Sequence, residues 1–144
     1  MELVKLAPKM DLISSENFND TGNEAVVKLR DRNNFKKINI YSISILLSLS
    51  GEQRVYIITP EFCEKKSNKT ATYFLKTEGK NVVYTSFCYN EKKAYTPKEN
   101  QGNRYLIDLL NEENAIAISF SERVIKFDTQ GFSNAWINYG GNAL

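Results

Sequence analysis

The chain has 144 residues, is 42% hydrophobic and 25% charged, and carries no histidine. Its length suits one domain with its own core, while the missing histidine removes the Ser-His-Asp triad, the Cys-His dyad, the imidazole base and the imidazole metal ligand. Nineteen Lys and Arg against seventeen Asp and Glu give a net charge of +2, and two cysteines fall short of an all-cysteine zinc site.

A single β-rich domain over 1–144 is expected. Residues 1–23 read as an irregular N-terminal segment, turn-rich from Asn17 to Asn23, ahead of a first strand at 25–30. The clearest alternation lies at 38–49. Tyr41, Ile43, Ile45, Leu47 and Leu49 fall on one face, with Ile40, Ser42, Ser44, Leu46 and Ser48 on the other, which predicts a long half-buried strand. Ser50-Gly51-Glu52-Gln53 turns the chain into a strand at 55–59, stopped by Pro60. Strands at 71–76 and 81–88 flank Thr77-Glu78-Gly79-Lys80 as a hairpin. After Pro97, Leu106, Ile107, Leu109 and Leu110 share a helical face that ends near 111–114. Strands at 115–120 and 124–128 follow, then a short helix capped by Asp128 or Thr129 that carries Phe132 and Trp136, and a flexible tail at 138–144. The sum is mainly β: an antiparallel β-sandwich or barrel of about seven strands with one or two short peripheral helices.

The pairs Lys36-Lys37, Lys65-Lys66 and Lys92-Lys93 are scattered among Glu61, Glu64, Glu91 and Glu99. Solvated lysines explain them better than a phosphate track does. Fourteen of the nineteen cations are Lys, which argues against the bidentate phosphate and base contacts that Arg makes, and so against nucleic acid as the partner. No apolar run reaches the length of a membrane-spanning helix, so no membrane insertion is expected. Met1 to Pro8 lacks the basic region and apolar run of a signal peptide. Two histories fit: a cytoplasmic protein, or an exported one whose leader was replaced by Met1. Cys63 and Cys88 are either a disulfide closing a loop of about 26 residues, worth roughly 3–4 kcal/mol, or two buried thiols acting as small apolar groups.

Little in the chain carries catalysis. Glu61, Glu64, Glu112, Glu113 and Asp128 show no spacing typical of a metal site or a glycosidase pair, and Gly51, Gly79, Gly102 and Gly131 are isolated turn glycines. Neither metal nor cofactor is implied, and the chain reads as a non-enzyme. Aromatic residues instead concentrate in the middle of the sequence. Tyr73, Tyr84, Tyr89 and Tyr95, with Lys76, Lys92 and Lys93, make a candidate binding surface suited to protein recognition. The expected function is a non-enzymatic module that occupies a partner protein as an inhibitor, immunity or accessory factor. Two alternatives stand beside it: an OB-like barrel stacking single-stranded nucleic acid, and a metal-dependent hydrolase using carboxylates. The long strand at 38–49, if it is an edge, offers a route to a homo-oligomer.

Sixteen asparagines, with many lysines and isoleucines, match the coding bias of an AT-rich genome, common among phages and mobile elements. The segment Ile125-Lys126-Phe127-Asp128-Thr129-Gln130-Gly131-Phe132-Ser133-Asn134-Ala135 is a strand followed by Phe-Asp-x-x-Gly-Phe-x-x-Ala at a helix start. It resembles the closing segment of small exported bacterial β-sandwich proteins, the invasion-associated locus B proteins and the periplasmic accessory proteins of type VI secretion. Over these last thirty or so residues the resemblance implies a non-enzymatic envelope domain.

Overall fold

The alternation around Tyr41, Ile43 and Ile45 makes the longest strand of the molecule. The computed structural model describes residues 9–64, 69–121 and 123–139. In it that strand, β3, runs Asn34–Leu47, starting earlier than the apolar pattern because Asn34 already pairs with Asp31 of β2. The chain before it holds β1 (Met10–Glu16), a one-turn helix α1 (Phe18–Thr21) and β2 (Glu24–Asp31). The chain after it holds β4 (Gln53–Phe62), β5 (Ala71–Thr77), β6 (Lys80–Tyr89), β7 (Lys92–Pro97), α2 (Asn100–Glu112), β8 (Ala115–Phe120), β9 (Arg123–Asp128) and α3 (Phe132–Asn138).

The described strands form one antiparallel sheet in the order β1-β2-β3-β4-β7-β6-β5-β8-β9. It curls until β9 packs back against β2, giving a nearly closed barrel rather than a sandwich. The expected count of about seven strands becomes nine among the described residues, the additions being β1 and β7. The segment expected to be irregular therefore holds a strand at Met10–Glu16 and a helix at Phe18–Thr21, while residues 1–8 lie outside the described part. Helix α1 is fixed by a reciprocal cap. The Asn17 side chain accepts from the Asn19 and Asp20 amides at 3.0 and 3.2 Å, and the Asp20 carboxylate accepts from the Asn17 amide at 2.9 Å. Strand β3 is internal, between β2 and β4, so it is not the sheet edge that a homo-oligomer was expected to use.

Pro60 does not end β4. The register moves from Ile58 opposite Ala94 to Phe62 opposite Lys92, so the proline, which has no N–H to give, sits in a bulge. Within that bulge the Thr59 hydroxyl donates to the Lys93 carbonyl at 2.9 Å. Just beyond β4, Cys63 is joined to Cys88 of β6, with Cα atoms 5.8 Å apart. The disulfide laces the exit of β4 to β6 around the turn into β7, whose Glu91 carbonyl accepts from the Cys63 amide.

The core fills the barrel and continues into the helices at one end. Ile43, Ile45, Val55, Ile57, Tyr84, Ile116, Ile118 and Phe127 are fully buried, and Leu106 and Leu110 of α2 and Phe132 of α3 cover them. Phe18 of α1 meets Phe132 edge to face at 5.2 Å. Asp128 and Thr129 do not cap α3 as expected. The N-cap is Gly131 at φ +86°, while the Thr129 hydroxyl donates to the Glu113 carbonyl and Asp128 accepts from Asn17. Only glycine fits here, because a Cβ would collide with the Asn19 side chain and the backbone is left-handed. Of the tail expected at 138–144, Asn138 is instead the last residue of α3, and residues 140–144 lie outside the described part. No helix among the described residues is long and apolar enough to cross a membrane.

Candidate binding site at the open end of the barrel

The three helices gather at the end where β2, β4 and β6 begin, and close it. At the other end β3, β7 and β9 begin, and no helix stands there among the described residues. That end is a mouth of about 870 Å³. Its floor is a run of touching rings: Tyr41 lies 5.2 Å from Phe120, Phe120 lies 6.4 Å from Tyr95, and Tyr95 meets Tyr73 edge to face at 5.8 Å. These rings come from β3, β8, β7 and β5. Each comes from an inward-facing position at the end of the packed core; Tyr41 and Tyr95 stay buried, Phe120 is partly covered and Tyr73 is exposed at the rim.

Lys93 of β7 lies among them, four-fifths buried. Its ammonium donates to the Tyr73 hydroxyl at 3.0 Å, lies 4.1 Å from that ring's centroid and 5.8 Å from the ring of Tyr95. The Glu61 carboxylate stands 3.9 Å away. Burial alone would depress the lysine, but the Tyr73 hydrogen bond, with Tyr95 and Glu61, outweighs it and holds the pKa above the ordinary lysine value. Tyr41 and Tyr95 are both raised, chiefly by burial, with Arg123 opposing the shift for the first and Lys93 for the second. At neutral pH the mouth therefore presents a fixed ammonium beside the neutral phenols of Tyr41 and Tyr95.

Of the surface expected from the sequence, Tyr73, Lys76, Lys93 and Tyr95 line this mouth together. Tyr84 does not belong to it. It is fully buried beneath Tyr95, its ring 6.5 Å from that ring and its hydroxyl 2.7 Å from the Thr77 hydroxyl. The reason is parity: along β6, Val82, Tyr84 and Ser86 face inward. Tyr89 and Lys92 stand opposite each other at the mouth end of the β6–β7 ladder, but one position out of phase with Cys88 and Lys93, so neither lines the mouth and Tyr89 lies on the outer face of the sheet. Sequence reasoning missed Tyr41, Phe120, Glu61 and Arg123. For the first two the signal was present, since each is an aromatic at the inward phase of a strand.

A second concavity lies on the outer surface of β3, β4, β7 and β6. Leu46, Tyr56, Ile58, Phe87 and Tyr89 line a groove of about 660 Å³, extended by the turn from Leu47 to Ser50. Tyr56 and Phe87 meet edge to face at 5.7 Å across fully buried Ala94. Both faces of β4 are apolar, Val55 and Ile57 inside and Tyr56 and Ile58 outside, which is unusual for a sheet whose second face meets water. Leu47 is half exposed and Leu49, at the turn, is wholly exposed.

Among the described residues no group of three or more Cys, Asp or Glu is placed to hold a metal ion, and both cysteines are taken up in the disulfide. No protein-family model, no curated protein and no solved structure matches this chain.

Proposed function

We propose that this protein is a non-enzymatic binding module that acts by occupying a partner protein, in the manner of an inhibitor, immunity or accessory factor. The observation that carries the proposal is the outer groove, where Leu46, Leu47, Leu49, Tyr56, Ile58, Phe87 and Tyr89 form one apolar tract on a face with no covering element among the described residues. Leaving such a tract in water is unfavourable at roughly 25 cal/mol per Å², and contiguous exposed apolar surface of this kind marks protein–protein contact sites. Ala94, small and fully buried between Tyr56 and Phe87, lies at the bottom of the groove.

Affinity capture from the native host with the wild-type chain and with Leu49→Asp tests this. Wild type is expected to retain a defined protein in stoichiometric amount, and Leu49→Asp to lose it while unfolding at the same temperature. Identical capture by the two chains would remove the outer groove from consideration.

A further inference from the structure

The mouth has a property that a simple bowl lacks. It touches Tyr73, Phe74, Leu75 and Lys76 of β5 in unbroken succession, and Ser119, Phe120 and Ser121 at the end of β8 likewise. Side chains on a strand alternate between faces, so a cavity that meets consecutive residues runs along the strand's edge. The pairing agrees. All seven residues of β5 pair with β6, whereas on the other side only Lys76 and Thr77 pair with β8. From Ala71 to Leu75 the β8 side of β5 has no ladder partner among the described strands. The seam between the two strands therefore opens toward the mouth like a wedge.

The cations stand around this seam. Lys37, Lys76, Lys93 and Arg123 line the same cavity, and Glu61 is the one carboxylate among the described residues that line it. We infer that the seam receives an extended, acidic peptide segment of a partner protein, which adds as a strand to the free edge of β5 and sets its carboxylates against these cations. Main-chain hydrogen bonds to an open strand edge give such a complex its register, and alternate side chains give it specificity. Here one set of side chains would face the Tyr41, Phe120 and Tyr95 rings and the other the cationic rim. A second copy of this chain is a poor occupant, because pairing two β5 edges would bring the two cationic rims together. The surface involved is distinct from the outer groove.

The test is titration of the full chain with a short, acetylated and amidated peptide of alternating glutamate and valine. Saturable binding is expected, weakened about tenfold or more by Lys76→Glu or Arg123→Glu, and lost when alternate peptide nitrogens are methylated. Leu49→Asp should leave it unchanged, which separates this site from the outer groove. Three results would each overturn the inference: no binding of the peptide, equal binding of the N-methylated peptide, or equal binding of a lysine–valine peptide. Binding of oligothymidylate without binding of the peptide would overturn it in favour of nucleic acid. The methylated and unmethylated peptides are compared on wild-type protein, so that comparison holds whether or not any variant folds.

Discussion

Lys93 and Tyr73 meet across an intervening strand, the ammonium of one donating to the hydroxyl of the other at 3.0 Å while lying 4.1 Å from its ring centroid. The contact joins β7 to β5 over the top of β6 and fixes one wall of the mouth. Tyr73→Phe keeps the ring and removes the hydroxyl, so it is expected to cost about 1 kcal/mol. Tyr73→Ala also removes the ring–cation contact and should cost about 1 kcal/mol more. Urea unfolding of the two variants checks the order.

The pH dependence has a definite sign. Lys93 has a folded pKa above its ordinary value of 10.5, so its pairing stabilises the fold fully below that value and loses this as pH rises through the folded pKa. Tyr84 acts in the same direction, because burial pushes it up to about 12, only partly opposed by its hydrogen bond with Thr77. Between the ordinary tyrosine value of 10.0 and about 12 the unfolded chain ionises this phenol and the folded chain does not. Stability should therefore fall as pH climbs above 10, and Tyr84→Phe should flatten that fall. Denaturant melts across this alkaline range measure it.

Replacing both cysteines by serine is expected to lower the unfolding free energy by roughly 3–4 kcal/mol, since the bridge closes a loop with sequence separation 25. Because the bridge anchors the exit of β4 beside the Pro60 bulge, amide exchange in the variant should rise first at Glu61 and at Lys92 to Ala94.

Gly131→Ala is expected to cost about 1–3 kcal/mol, combining a left-handed backbone with a collision against Asn19. The double variant with Asn19→Ala should recover only the part of the collision that the Asn19 side chain makes, since the Asn19 backbone nitrogen also stands in the way. A double-mutant cycle showing no coupling between the two positions would contradict the packing of α1 against the start of α3.

Leu49→Asp should change stability by no more than about 0.5 kcal/mol, because the side chain is wholly exposed. It is expected to reduce binding of apolar dyes to the native protein. Thermal melts and dye titration on the same sample check both.

Much of the barrel was legible because its strands announce themselves by parity. The β5–β6 hairpin turns through Glu78 and Gly79, both at positive φ, as a two-residue turn between alternating segments requires. Strand β7 was missed because Lys-Lys-Ala-Tyr-Thr-Pro has little β propensity of its own and is a strand only because β4 and β6 flank it. Strand β1 was missed because it is an edge strand, mostly exposed and broken by a bulge between Leu12 and Ser14, so it has no alternation to read. Half of the mouth was visible as a concentration of Tyr and Lys in the middle of the sequence. Phase along β6 decided against Tyr84, and no local signal brings Glu61 or Arg123 to the same place, since only the closing of the barrel does.

The sheet order also governs how the molecule is assembled. Strands β4 and β5 are neighbours in the chain yet stand three places apart, with β7 and β6 between them. The sheet cannot be zipped up from one end. The β5–β6 hairpin has only a two-residue loop to close, so it should form in microseconds. The pairing of Ile57 with Tyr95 must wait until β7 has folded back onto β6. Refolding followed by pulsed amide exchange should protect Val82 to Tyr84 before Ile57 and Ile58. The mouth, which takes Glu61 from β4 and Tyr95 from β7, can take shape only after that late pairing.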